Sequence, residues 1–272
     1  MLERPQRIID FHTHAFPDAL AGRAMQALIS EAPGIKAYLD GTLGDLARSM
    51  QTCGIRHSAV CCIATKPSQF DPILQWCEEI RSETFLLMPS VHPADPDRLD
   101  HIRLIKAKGF KGIKLHPFYQ DFYADEDRML QMYEVMAQED LLLVMHTGYD
   151  IAFPRQRRTD PERLVRIQQT FPALKLVTTH LGAWEQWDEV EDLLMGHEIR
   201  METSFAVECM TQDQARRILV NHPSGYLLFG TASPWTDQAH ALELLRGMDL
   251  PQDRLERILW GNAAELLGLG EA

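Results

Sequence analysis

His12 and His14 stand two residues apart in Ile8-Ile9-Asp10-Phe11-His12-Thr13-His14, where an apolar run of strand character ends. Alternate residues of a strand share a face, so both imidazoles project together while Thr13 faces away, and two neutral imidazoles side by side suit a borderline metal such as zinc. An isolated His-x-His is more often one turn cap and one satisfied core residue. The other histidines reverse that expectation. His92, His116, His146 and His180 also stand where short apolar runs stop, so six of the eleven histidines mark such ends, whereas others, such as His101, His197, His222 and His240, lie elsewhere. His92-Pro93 and His116-Pro117 can also simply mark turns, which makes His146 and His180 the stronger pair.

The elements that must position these side chains repeat one pattern: a β-rich apolar run, a His, Gly or Pro where it stops, then a stretch of helical period. The strand candidates are residues 7–11, 58–64, 84–91, 110–115, 141–145, 174–179, 199–203 and 226–229. Helix-like stretches lie at 73–81, 96–108, 126–138, 161–169, 185–194, 211–220 and 238–246, several entered through Asp or Thr or with Pro near the start. The first strand is followed by a helical insertion, 17–30 and 43–52 around the loop 33–41, that is placed to lie partly over the mouth, and 253–267 adds a last helix. Eight strand–helix repeats in 272 residues match the size of a βαβ unit and give an α/β fold, a (β/α)8 TIM barrel, with residues 1–272 as one domain. Continuous apolar strands such as Leu141-Leu142-Leu143-Val144 fit a parallel sheet covered on both faces. An open doubly wound sheet is the other architecture, but no G-x-G-x-x-G or Walker-type loop follows the first strand.

Composition narrows the partners. A chain with 45% hydrophobic and 24% charged residues can bury a full core, and its net charge of −12 opposes attraction to nucleic acid or to anionic membranes. No run approaches the roughly 18 apolar residues of a membrane span, and residues 1–5 carry no signal-like apolar region, so the expectation is a cytoplasmic protein. Small-molecule substrates, or copies of the chain in a homo-oligomer, are the partners expected. Five cysteines without C-x-x-C spacing read as reduced core residues.

Five motifs, in order at five strand ends, carry a resemblance. They are Asp10-Phe11-His12-Thr13-His14, Gly109-Phe110-Lys111-Gly112-Ile113-Lys114-Leu115-His116-Pro117, Val144-Met145-His146-Thr147-Gly148, Thr179-His180-Leu181-Gly182 and Leu228-Phe229-Gly230-Thr231-Ala232-Ser233-Pro234-Trp235. With these, and with Asn262-Ala263-Ala264-Glu265-Leu266-Leu267 near the end, the chain resembles the amidohydrolase superfamily of metal-dependent hydrolases, in particular the amidohydrolase 2 branch that also contains aminocarboxymuconate semialdehyde decarboxylase-like enzymes. The resemblance implies a TIM barrel. It also implies a divalent metal, zinc, as one ion rather than two, held by His12, His14 and His146, with His180 either a catalytic residue near the metal-bound water or a ligand to a second metal. Lys114, on the same face as His116, is then placed to bind an anionic substrate group or, when carboxylated, to bridge two metals as in some members of the superfamily, with pairing to a barrel-mouth carboxylate as the plainer reading, while Tyr149 and Trp235 are placed to wall a substrate pocket.

One position departs from the family. Its eighth strand normally ends Gly-Thr/Ser-Asp-x-Pro, the Asp touching the metal and taking the proton of its water; here the residue is Ala232. A methyl group does neither, which suits either an engineered inactivating substitution or natural divergence and leaves His180 or His116 as the proton acceptor. The implied activity is hydrolysis of an amide, ester or lactone bond by metal-activated water. The alternatives are a metal-dependent non-oxidative decarboxylase on the same scaffold and a non-catalytic metal- or ligand-binding homologue. Glu202 is placed to orient a ligand His or to pair with a surface Arg, and Arg155, Arg157 and Arg158 to steer an anionic substrate or to be solvated.

Overall fold

Each apolar run that stops at a His, Gly or Pro forms a parallel strand. They are β1 (Ile9–Thr13), β2 (His57–Cys61), β3 (Phe85–Met88), β4 (Gly112–Leu115), β5 (Leu142–Met145), β6 (Lys175–Thr178), β7 (Arg200–Glu202) and β8 (Leu227–Leu228). This computed structural model describes residues 7–32 and 34–270; residues 1–5, read above for a signal segment, and Pro33 of the 33–41 loop lie outside them. Ladders run in sequence order through β1-β2-β3 and through β4-β5-β6-β7-β8. Backbone bonds span both seams: Lys114 N donates to Pro89 O at 2.8 Å, Phe11 N to Phe229 O at 2.8 Å and Ala232 N to His12 O at 2.7 Å. The eight strands therefore follow one another around a TIM barrel.

Strand alternation sorts the core into two layers. Ile9, Phe11, Ala59, Cys61, Met88, Leu142, Val144, Val177 and Leu228 pack together inside the barrel, while Ile113, Leu115, Leu143, Met145 and Leu176 pack outward against the helices. Each such fully buried aliphatic side chain contributes about 1.5–3 kcal/mol relative to an exposed one. Lys114 pairs in register with Val144, so it occupies an interior position and is wholly buried. Its burial is the first sign that the top of the barrel is built for charge rather than for packing.

Two helices of the insertion, α1 (Asp18–Glu31) and α2 (Leu43–Cys53), follow β1, and α1 leans over the barrel mouth. Thr42 caps α2 by accepting from Asp45 N, and Gly54 ends it at φ 71°. Asp10 ties the last strand to the first: Oδ1 accepts from Thr231 N at 3.0 Å, and Oδ2 from Thr231 Oγ1 at 2.6 Å and Gln238 Nε2 at 2.7 Å. Burial outweighs these donors and pushes the Asp10 carboxyl up to about 7.

The structure departs from the sequence reading in small ways. The helix expected from 185 begins at Trp187, because Glu185 sits at φ 55°, a left-handed value no helix accommodates. The last helix is two pieces, Gln252–Glu256 and Asn262–Leu267, joined by a π turn at Arg257–Gly261. The four-residue helix Ala206–Cys209 is too short to print a helical period in sequence. Cys61, Cys62 and Cys77 are buried as expected, but Cys209 is exposed and Cys53 half-buried. No helix among the described residues is long and apolar enough to cross a membrane.

Candidate metal centre and active-site cavity

Five of the six histidines that end apolar runs line one cavity of about 890 Å³ at the carboxyl ends of the strands. His92 stays out of it: its Nδ1 accepts from Ala94 N at 3.1 Å, the turn role that a His-Pro pair allows. Ring centroids separate His12 from His14 by 4.9 Å, His12 from His180 by 5.8 Å, and His146 from His180 by 4.9 Å. The register of β1 shifts between Asp10 and Thr13, yet both of its imidazoles line the cavity.

Four of these rings have one nitrogen tied to an acceptor, and that tie assigns the tautomer. His12 Nδ1 donates to Glu202 Oε1 at 3.0 Å, and His14 Nδ1 to Cys61 O at 2.8 Å. His146 Nε2 donates to Tyr149 O at 2.9 Å, and His180 Nδ1 to Ser204 O at 3.0 Å. The remaining nitrogen of each neutral ring then carries a lone pair. Two of these lone pairs face one another across 3.1 Å, at His146 Nδ1 and His180 Nε2, and a third, at His12 Nε2, accepts from Lys114 Nζ at 3.1 Å.

Protons do not relieve this crowding of lone pairs. Burial lowers the His14 pKa to about 4 and that of His180 to about 3, and it holds His12, His146 and His116 well below the ordinary value. The nearby Lys114 cation pushes the same way, and burial in turn lowers the Lys114 ammonium. A set of neutral, inward-facing imidazole nitrogens is the donor chemistry that a divalent transition metal takes up.

Glu202, on β7, holds the arrangement together. Its Oε1 accepts from His12 Nδ1, from His180 N at 3.0 Å and from Ser204 Oγ at 2.6 Å, and its Oε2 from Ser204 N at 2.7 Å. His180 and Leu181 stand at φ 59° and 50°, non-glycine residues in the left-handed region, where strain is of the order of 1–3 kcal/mol each. The carboxylate and the Glu202 carbonyl, which accepts from Leu181 N at 2.7 Å, stabilise that turn. Gly230 is required beside it, since a Cβ there would lie 2.1 Å from Glu202 Oε2. Of its two expected roles, Glu202 therefore contacts His12 rather than a surface Arg. Glu202→Gln places an NH₂ where only acceptors serve, and metal affinity measured by chelator competition should fall about 10–100-fold; an unchanged value would mean that the carboxylate does not tune His12.

Other sequence expectations meet the structure unevenly. Trp235 lines the cavity, but the Tyr149 ring does not: it lies under the Arg155 guanidinium, and Tyr149 contributes only its carbonyl. Lys114 makes its contact with His12 rather than with a carboxylate. Arg155, Arg157 and Arg158 are engaged by Glu185, Glu189 and Asp121, so they are tied at the surface rather than aimed inward. The residue that sequence reasoning passed over is Asp150. It follows Gly148, whose φ of 86° lets the chain pass against Trp184, and it brings Oδ2 to 3.4 Å from His116 Nε2. Its only sequence signal is a carboxylate four residues after His146.

Comparison with known proteins follows the same lines. A protein-family model described as Amidohydrolase matches residues 9–269. A dihydroorotase of Azotobacter vinelandii (strain DJ / ATCC BAA-1303) is 27% identical over 195 residues, covering 65% of this chain and 50% of that protein, so the chain spans about half the length of the curated relative it matches. An uncharacterized TIM-barrel protein from Bordetella bronchiseptica superposes with a TM-score of 0.79 at 19% identity, over 96% of this chain and 98% of that one. A dihydroxybenzoic acid decarboxylase from Polaromonas sp. JS666, solved with bound manganese and 2-nitroresorcinol, gives 0.73 at 15% identity over 98% of both chains. At these identities the two structures show a shared fold.

Proposed function

This chain belongs to the amidohydrolase family, and from that premise we propose that it is a metal-dependent hydrolase of an amide, ester or lactone bond, acting at the carboxyl-terminal mouth of its barrel. The observation that carries this reading is the set of tied tautomers, which leaves neutral lone pairs at His12 Nε2, His14 Nε2, His146 Nδ1 and His180 Nε2. His146 Nδ1 and His180 Nε2 stand 3.1 Å apart, and one divalent ion would draw His12 Nε2 and His14 Nε2 in to join them, zinc suiting an all-imidazole set. Such an ion, when bound, polarises the scissile group and lowers the pKa of water to about 7.

The chain's own residues supply the rest. Lys114 Nζ, buried at the floor of the cavity beside His12, presents a cation to an oxygen of the substrate. With a methyl group at 232, the proton released in hydrolysis passes to His116 Nε2, which burial keeps neutral and which faces the Asp150 carboxylate. His180 is the other acceptor considered, but Ser204 O and His146 already engage its two nitrogens. Trp235, Trp184 and Phe205 line the cavity with apolar surface.

That same wall favours a second reading, non-oxidative decarboxylation of a ring-bearing carboxylate, whose charge would meet Lys114 while the ring packs against the aromatics. Its support is the mostly apolar lining around one buried ammonium and the decarboxylase among the proteins of shared fold. The two are separated by reconstituting the protein with Zn2+ or Mn2+ and assaying amides, esters and lactones beside aromatic carboxylates. Water consumed without CO₂ supports the hydrolase, and CO₂ released without water supports the decarboxylase. A metal-loaded protein turning over neither class would reject both.

A further inference from the structure

The cavity at the barrel mouth does not stop at the histidines. It is also lined by α1 and by α3 (Phe70–Glu79), the helix that follows β2, and there its wall changes from imidazole to hydrocarbon. We propose that this outer arm binds a linear acyl chain, so that the substrate is an ester, amide or lactone carrying an extended apolar chain. The proposal rests on the histidine centre as the reacting end of the cavity.

Three observations carry it. The first is a second apolar stripe on each helix. α1 buries Ala21 and Met25, one turn apart, and Met25 packs so closely on Gly41 that a Cβ there would lie 2.6 Å from Met25 Cγ. Leu20, Ala24, Ala27 and Leu28 form the neighbouring stripe at helical spacing, and they line the cavity instead. α3 repeats the arrangement: Phe70, Leu74 and Cys77 are buried in the core, whereas Pro72, Ile73 and Trp76 line the cavity. At a rise of about 1.5 Å per residue, the stripe from Leu20 to Leu28 runs about 12 Å, a length that suits an extended chain rather than a compact ring.

The second is size and exposure. An apolar cavity of about 150 Å³ holds benzene, so a substrate with a single ring leaves most of the cavity's volume of about 890 Å³ unfilled. Of the seven large hydrophobic side chains exposed among the described residues, three border this one cavity: Leu20 at 45%, Tyr38 at 41% and Ile151 at 54%. Exposed apolar surface gathered in this way marks a ligand groove.

The third is that polar side chains around the arm are engaged within the protein. Gln69 Oε1 accepts from Thr65 N at 2.6 Å and from Lys66 N at 3.2 Å, the Lys36 ammonium lies 4.1 Å from the centre of the Tyr38 ring, and Glu31 bonds the Tyr119 hydroxyl. A polar substituent would give up its water there without a partner in return, whereas methylenes lose nothing.

The test is calorimetric binding of straight-chain hydroxamates, from acetohydroxamate to decanohydroxamate, to the protein with and without Zn2+. In either state each added methylene should tighten binding about twofold to fourfold until the arm is full. Leu20→Asp and Ala27→Trp stand at exposed positions of α1 and leave the histidines untouched. Each should weaken decanohydroxamate at least about tenfold and leave acetohydroxamate on the zinc-loaded protein within about twofold, since only the buried methylenes are lost. Circular dichroism checks the fold, and should Ala27→Trp unfold, Leu20→Asp carries the comparison. Affinity that does not rise with chain length in the wild type overturns the proposal. So does a rise that persists undiminished in the folded variants, because the chain then lies elsewhere. Hydrolysis of p-nitrophenyl esters of the same acids keeps the two readings apart. Chain-length-dependent binding without turnover upholds the arm while the hydrolase reading fails, and turnover of the acetyl ester with no effect of chain length on binding does the reverse.

Discussion

Replacing His146 with alanine should lower the affinity for a divalent ion by more than about 100-fold. The expectation follows from the one ring nitrogen left free: Nε2 is tied to Tyr149 O, and Nδ1 faces His180 Nε2 at 3.1 Å. Losing a partner that only orients a ligand costs about 10–100-fold, and losing the ligand itself costs more. The fold should survive, because His146 stands at the top face beyond β5, whereas Val144 and Leu142 fill the interior below it. The pH dependence has a definite sign. Protons compete with metal for imidazole, but His14 and His180 are lowered to about 4 and about 3, below the ordinary value of 6.5, so competition begins only as pH falls towards those values. Wild-type affinity should therefore stay flat from about pH 8 to about pH 5 and drop below about pH 4. Elemental analysis after dialysis, with circular dichroism as the fold control, reads both effects. Equal metal content in wild type and variant would mean that His146 is not a ligand.

Much of this was legible in the sequence because strand ends are punctuated. All eight strands lie where apolar runs stop, and side chains just past those stops meet at the mouth of a parallel barrel whatever their separation along the chain. What periodicity could not supply is tautomer and contact. That His14 leans on the Cys61 carbonyl, or that Ser204 and Glu202 hold both His12 and the left-handed His180 turn, depends on backbone atoms and strain that carry no residue signature. Asp150 was hidden for a related reason. A carboxylate in an Arg-bearing loop reads as one half of a surface ion pair, and only the tight passage of Gly148 against Trp184 turns it inward. Tyr149 was misjudged by the converse argument, since an aromatic near a strand end suggests a pocket wall, and here its carbonyl accepts from His146 Nε2 while its ring sits beneath Arg155.

Ala232→Asp should create or raise hydrolytic activity by about 10²–10⁴-fold, the range of a well-placed general acid or base. Ala232 sits at φ 54°, a conformation in which a residue with a Cβ is strained and in which Asp is several-fold enriched. Asp therefore suits that backbone at least as well as Ala does, and the bonds there, Ala232 N to His12 O at 2.7 Å and Trp235 N to Ala232 O at 3.1 Å, are main-chain and survive the change. The position is 2% exposed and lines the cavity beside His12 and His180, so a carboxylate there is desolvated unless a cation compensates it. This gives the substitution opposite signs in the two states. Without metal it should lower the melting temperature, because Lys114, lowered by burial, is only a partial partner; with metal it should raise both melting temperature and affinity. Thermal melts of both proteins with and without Zn2+, beside hydrolysis of amides, esters and lactones, read all of these effects. A melting temperature that moves the same way in both states, with rates and affinity unchanged, would show that residue 232 does not face the inner nitrogens, and the equivalence drawn between the end of β8 and the family's Gly-Thr/Ser-Asp-x-Pro would fail with it.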